Sequence, residues 1–79
     1  MTTRISVKNA ETGSSVEMEL EAENTVEEII ESAASYWEVS PGAYVLRRGK
    51  AVLRGQSTIV EAKIHEGDVV ELIPDPEGG

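Results

Sequence analysis

Three features of this sequence predict a small α+β domain, a mixed sheet of four to five strands wrapped on one α-helix. The opening twenty residues alternate apolar and polar side chains, residues 26–37 carry one apolar stripe of helical period, and residues 43–73 return to short strand-like runs. Two strands, one helix and then further strands leave that helix to cover one face of one sheet. With 79 residues the chain has room for a single domain. A domain this small buries roughly 60% of the surface its unfolded chain exposes, so its core is thin.

The first strand is read at Arg4–Asn9, with Ile5 and Val7 on one face. The second is Ser15–Glu21, with Val16, Met18 and Leu20 facing one way and Glu17, Glu19 and Glu21 the other, the period-two signature of a half-buried strand. Between them, Ala10-Glu11-Thr12-Gly13-Ser14 places a glycine where a hairpin loop needs positive φ. Thr25-Val26-Glu27-Glu28 fits a capping box. Val26, Ile29, Ile30, Ala33, Ala34 and Trp37 then recur at i, i+3, i+4, i+7, i+8 and i+11, a helix of about three turns with Trp37 closing the end of the core. Glu27, Glu28 and Glu31 sit near the positive end of its dipole, and Ser40-Pro41-Gly42 is expected to stop it.

A third strand spans residues 43–48, and Gly49-Lys50 makes a tight turn into a short fourth, Ala51-Val52-Leu53. In the third strand Tyr44 and Leu46 share one face and Val45 and Arg47 the other, so either Leu46 or Arg47 points inward. Both registers stand open. Val45 inward is favoured, with Arg47 at the sheet margin, its aliphatic stem along apolar surface. Residues 58–64 are expected to form a turn or 3₁₀ segment burying Ile59 and Ile64, and Glu66-Gly67-Asp68 a turn. The final strand is Val69–Ile73, with Val70 and Leu72 inward. Pro74 and Pro76 cannot donate a backbone hydrogen bond and are expected to end sheet pairing. The domain is therefore 1–73, followed by an extended tail, 74–79.

Composition excludes several functions. There is no cysteine, hence no disulfide, thiolate metal site or thiol nucleophile. His65 stands alone, with no partner to complete a metal site, and Glu66 and Asp68 flank a glycine as turn formers do. No carboxylate pair has the setting of a pocket, so the chain reads as a non-enzyme with no cofactor and no metal. Fifteen acidic against seven basic residues, net charge −8, argue against nucleic-acid binding, which needs cations to displace phosphate counterions. Apolar runs of only a few residues are too short to span a membrane or to serve as a signal-peptide core. A cytoplasmic monomer is expected.

In sequence, these segments resemble the ubiquitin-like β-grasp family. Thr25-Val26-Glu27 is similar to the start of ubiquitin's helix, and Leu46 to Val52, with Gly49-Lys50 at the turn, to its third-to-fourth-strand hairpin. Thr58-Ile59 and Ile64 match its short 3₁₀ segment, and Val69–Ile73 leads into a tail ending in Gly78-Gly79. The resemblance covers nearly the whole chain, with a small deletion before the third strand and a small insertion near Gln56. The run from Glu66 to Pro74 is also similar to the last strand of prokaryotic β-grasp sulfur carriers and small archaeal modifier proteins.

The resemblance implies a protein modifier. An adenylating, ubiquitin-activating-type enzyme would join the Gly79 carboxylate to AMP, using ATP that the modifier itself does not bind. The acyl group would then pass to lysine amines of target proteins, with a conjugating enzyme and a metalloprotease as further partners. Gly78 would give clearance beside the reacting carbonyl, since a residue without Cβ fits a narrow slot. Pro74-Asp75-Pro76-Glu77 would serve as a stiff stalk. A terminal glycine pair arises by chance in roughly one chain in several hundred, but this one follows closely on a β-grasp pattern. Where ubiquitin's tail carries arginines, this tail carries Asp75 and Glu77, which points to a prokaryotic-type adenylating enzyme with a basic approach. Two alternatives share the fold: a sulfur carrier whose terminal thiocarboxylate serves thiamine, molybdopterin or tRNA thiolation, and a non-covalent ubiquitin-like binding module.

Four of the seven basic residues, Arg47, Arg48, Lys50 and Arg54, fall on the third strand and its hairpin. Such a patch can orient an encounter, or simply protect a sheet edge from aggregation. With Leu46 facing outward, it would lie beside Ile73 and Glu71 at positions similar to ubiquitin's partner-binding sheet face, and with Arg47 and Arg48 these form the expected partner-binding surface. The resemblance makes Lys50 the preferred isopeptide acceptor, at the place of a chain-forming hairpin lysine in ubiquitin, with Lys8 and Lys63 as others.

Overall fold

A computed structural model describes residues 2–76. Its elements are β1 (Thr2–Asn9), β2 (Ser15–Glu21), α1 (Val26–Trp37), a 3₁₀ turn (Pro41–Ala43), β3 (Tyr44–Arg48), β4 (Ala51–Leu53) and β5 (Val69–Pro74). The five strands form one sheet in the order β2-β1-β5-β3-β4. β1 and β5, the first and last strands, lie parallel at its centre, and the other neighbours are antiparallel. Parallel neighbours need a long crossover, and everything from β2 to β4, α1 included, lies within it.

Alternation sorts the side chains. Ile5 opposes Met18 and Val7 opposes Val16, so these face α1 while Glu17 and Glu19 face out. Ile5, Val7, Leu20, Leu46, Val70 and Leu72 from the sheet meet Val26, Ile29, Ile30 and Ala33 of α1 in one core. Each large side chain buried there contributes about 1.5–3 kcal/mol.

The helix begins as its sequence predicts. Thr25 Oγ1 accepts from the Glu28 N–H at 3.2 Å and Glu28 Oε1 accepts from the Thr25 N–H at 2.8 Å. That backbone donor, with Asn24 Nδ2 at 3.1 Å, holds the Glu28 carboxyl below its ordinary pKa. Its end differs from expectation. Glu38 adopts the left-handed conformation (φ 58°) and returns its N–H to Ala34 and Ser35 carbonyls, so α1 stops before Ser40-Pro41-Gly42. Pro41 and Gly42 instead enter the 3₁₀ turn. Residues 58–64 form a turn closed by a reciprocal cap, Thr58 N–H to Glu61 Oε1 at 2.9 Å and Glu61 N–H to Thr58 Oγ1 at 3.1 Å. Ile59 and Ile64 are buried beneath it.

β3 takes the register opposite to the one favoured from sequence: Leu46 is fully buried and Val45 half-exposed. The two-residue turn at Gly49-Lys50 sets Arg48 opposite Ala51 and Leu46 opposite Leu53, while Leu46 also opposes Leu72 on β5. Burying leucine among leucines gains more than burying valine, and it leaves the Arg47 guanidinium hydrated. Leu46 therefore belongs to the core and is no part of a docking surface.

β5 runs one residue further than expected. Pro74 opposes Tyr44, and the Asp75 N–H donates to the Ala43 carbonyl at 2.9 Å. Bonded and non-bonded pairs alternate along an antiparallel ladder. With Asp75 bonded, Pro74 falls at a non-bonded position whose missing N–H faces away from β3, where proline is tolerated. The first two residues of the expected stalk are thus tied to the sheet. The rest of the tail beyond Pro76 lies outside the described residues.

Candidate functional site

The chain leaves the sheet at the C-terminal end of β5. Because β1 runs parallel to β5, that end also carries the β1–β2 turn: the Ala10 N–H donates to the Leu72 carbonyl at 3.1 Å. The Tyr44 hydroxyl reaches across to donate to Glu11 Oε1 at 2.8 Å, and that bond, with partial desolvation, raises the Tyr44 pKa. Tyr44, Glu11 and the Asp75–Ala43 bond together anchor the root of the tail. Gly78 and Gly79, the proposed activation residues, lie outside the described residues.

From this root a surface runs along the outer face of the sheet. Ile73 opposes Val45, and one rank further Glu71 opposes Arg47. Directly opposed residues point to the same side, so Val45 and Ile73 form an apolar pair beside a charged one. Arg47 donates to Glu71 Oε1 through Nη2 at 2.6 Å and Nε at 3.2 Å. This bond first, and the charges of Arg47 and Lys8, hold the Glu71 carboxyl below its ordinary pKa. Val52, opposite Arg47, extends the face with half its area exposed.

The structure thus brings together three of the five residues assigned to this surface, Arg47, Glu71 and Ile73, and separates the other two. Leu46 is in the core. Arg48, one residue on from Arg47, points to the opposite face of the strand. There its guanidinium donates to the Lys63 carbonyl and stands 3.9 Å from Asp68, pinning the loop over Ile64. The cationic patch is divided accordingly: Arg47 and Arg48 have anionic partners, while Lys50 and Arg54 form no ion pair among the described residues. Val45 was missed. The signal was present, since pairing across a two-residue turn places Leu46 against Leu53 and so turns Val45 outward.

The three lysines are exposed and dispersed. Lys8 is on the outer face opposite Glu71, Lys50 is in the β3–β4 turn, and Lys63 holds a left-handed backbone (φ 59°) with its carbonyl bonded to Arg48. His65 lies in the turn that enters β5, where its backbone N–H donates to Asp68 Oδ2 at 2.8 Å. Among the described residues no group of three or more His, Asp or Glu side chains stands together to hold a metal ion, and no helix is long and apolar enough to cross a membrane.

No protein-family model matches the chain, and no curated protein matches it. Solved structures do. The ubiquitin of Caldiarchaeum subterraneum is 22% identical over 100% of both chains, with a TM-score of 0.87. A de novo protein designed on the basis of ubiquitin is 21% identical over 95% of this chain and 90% of its own, with a TM-score of 0.84. The UBL domain of Plasmodium falciparum Dsk2 is 16% identical over 95% of this chain and 100% of its own, with a TM-score of 0.84. At these identities what is shared is architecture: the chain has the ubiquitin-like β-grasp fold.

Proposed function

We propose that this protein is a ubiquitin-like modifier, activated at Gly79 and joined to lysine amines of target proteins. The observation that carries the reading is the placement of Gly78-Gly79 just beyond β5 of a ubiquitin-like fold, separated from the strand by Asp75-Pro76-Glu77 alone. A carboxylate is a poor electrophile until one oxygen becomes a leaving group. A carboxylate oxygen of Gly79 attacks the α-phosphorus of ATP, pyrophosphate departs, and an acyl-adenylate forms. An enzyme thiolate displaces AMP to give a thioester. A lysine amine then displaces the thiolate and loses a proton to leave an isopeptide bond. Glycine suits the reacting position because no Cβ shields the acyl carbon, and the domain contributes positioning of that end. Supporting features are the anchored tail root, the outer face from Ile73 to Arg47 that leads away from it, and two carboxylates, Asp75 and Glu77, suited to a basic, prokaryotic-type adenylating enzyme in the cytoplasm.

The test is intact-mass analysis after incubation with ATP and such an enzyme. Modification predicts an enzyme thioester through Gly79 and then adducts on lysines, all lost when Gly78 and Gly79 are deleted. A gain of sulfur for oxygen at the terminus would instead identify a sulfur carrier. Unaltered function in the deletion variant would identify a non-covalent binding module.

A further inference from the structure

On the side of the domain away from the outer sheet face, α1 and the start of β3 stand apart. Between them lies a groove of about 360 Å³, the small end of the range for ligand sites and enough for one or two side chains. Its floor is apolar, with Ile30 from α1 and Leu53 from β4, and β3 borders it at Tyr44 and Val45. Its rim is acidic: Glu27 and Glu31, one helical turn apart, border it on the α1 side.

Three observations point to an occupant. First, like charges at i and i+4 oppose each other in a helix, and neither carboxylate makes an ion pair or side-chain hydrogen bond among the described residues. No lysine or arginine occurs between Lys8 and Arg47, and Arg54, the chain neighbour of Gly55, forms no ion pair with either among the described residues. Second, β4 pairs with Leu46–Arg48, so the groove-side edge of β3 at Tyr44 has no strand partner among the described residues. Third, a glycine keeps the mouth open. The Glu27 N–H donates to the Gly55 carbonyl at 2.9 Å, drawing that backbone against the first turn of α1. A Cβ at Gly55 would stand 3.6 Å from Glu27 Cβ, so a methyl is accommodated while a branched side chain projects into the opening.

We propose that this groove binds an extended segment of another protein in which an arginine or lysine adjoins an apolar side chain. The apolar group seats on Ile30 and Leu53, and the cation lies between Glu27 and Glu31. Binding there does not depend on activation of Gly79.

Blocked tripeptides at millimolar concentration test this against the ¹⁵N-labelled full chain. Acetyl-Leu-Arg-Leu-amide is expected to give saturable amide shifts at Ile30, Tyr44, Leu53 and Gly55, and acetyl-Leu-Glu-Leu-amide none. Doubly substituted E27Q/E31Q, whose side chains keep their size, is expected to bind roughly fivefold more weakly, as loss of two exposed charges allows. Gly55→Val is expected to abolish the shifts while the rest of its spectrum stays folded. Absence of saturable shifts, equal binding of the glutamate peptide, unchanged affinity in E27Q/E31Q, or shifts confined to the Ile73–Arg47 face would overturn the proposal. So would shifts at the groove that track protein concentration without peptide, which would make the occupant a second copy.

Discussion

Leu46 and Val45 are neighbours in sequence with opposite fates, and a pair of substitutions separates them. Leu46→Ala leaves a cavity between Leu53 and Leu72 and is expected to cost about 2–5 kcal/mol. Val45→Ala, on the half-exposed face, is expected to cost less than about 1 kcal/mol. Urea unfolding of both variants measures the difference, and similar losses would contradict the register. This register was hard to read because five residues, Tyr44-Val45-Leu46-Arg47-Arg48, put something apolar on each face and a cation on each face. The arginine that reaches along the core margin is Arg48, whose strand-end position lets it grip the Lys63 carbonyl, and not Arg47. At the Arg47–Glu71 pair the folded carboxyl lies below its ordinary pKa. The stabilisation is therefore complete above the unfolded carboxylate range and disappears as pH falls through the folded value. Arg47→Gln is expected to raise the Glu71 midpoint toward the ordinary value, read from its carboxyl carbon shift, and to flatten the acid limb of the stability curve.

Each element carries signals that act over a few residues, and the helix shows both legible and hidden ones. Its start was open to reading because a hydroxyl, a carboxylate three positions on and an apolar run have one joint meaning. Thr25→Ala is expected to cost about 1 kcal/mol, measurable by thermal unfolding. Its end was hidden, because a glutamate does not announce a left-handed backbone as glycine does. Glu38→Gly removes the steric penalty of φ 58° and is expected to stabilise the domain by up to about 1 kcal/mol; a fall in the melting temperature would contradict that account of the cap. The tail root was hidden for a related reason. Proline ends sheet pairing only where its N–H is needed, and whether Pro74 occupies a bonded position depends on the β3–β5 register, which no local pattern reveals. The groove beside α1 depends on Glu27, Glu31 and Gly55, which belong to segments that look unremarkable until folding sets them side by side.

Over the whole molecule, charge is unevenly spread. The stretch between Lys8 and Arg47 holds nine glutamates and no lysine or arginine, and the described ion pairs are few, one exposed and two partly buried. Self-repulsion is then the larger electrostatic term. Raising sodium chloride from low concentration to about 0.5 M, where the Debye length is only a few ångströms, is expected to raise the melting temperature; a fall would mean that the surface pairs outweigh repulsion. The order of elements and the alternation of β1, β2 and β5 sufficed for the architecture, because one helix can cover one sheet in few ways. The chemistry of the tail is not a property of the fold, since the same scaffold can host unrelated roles.

The most direct measurement of that chemistry is a search for the tail on target lysines in cells producing a tagged form of the protein. No lysine or arginine follows Lys63, so trypsin would leave the long remnant Ile64–Gly79. A protease specific for glutamate, cutting after Glu77, would leave Gly78-Gly79 alone. The account predicts lysines of other proteins bearing Gly-Gly after the glutamate-specific digest and Ile64–Gly79 after trypsin, both absent when Gly79 is deleted. Recovery of the protein only in unconjugated form, or bound to others without any isopeptide remnant, would contradict it.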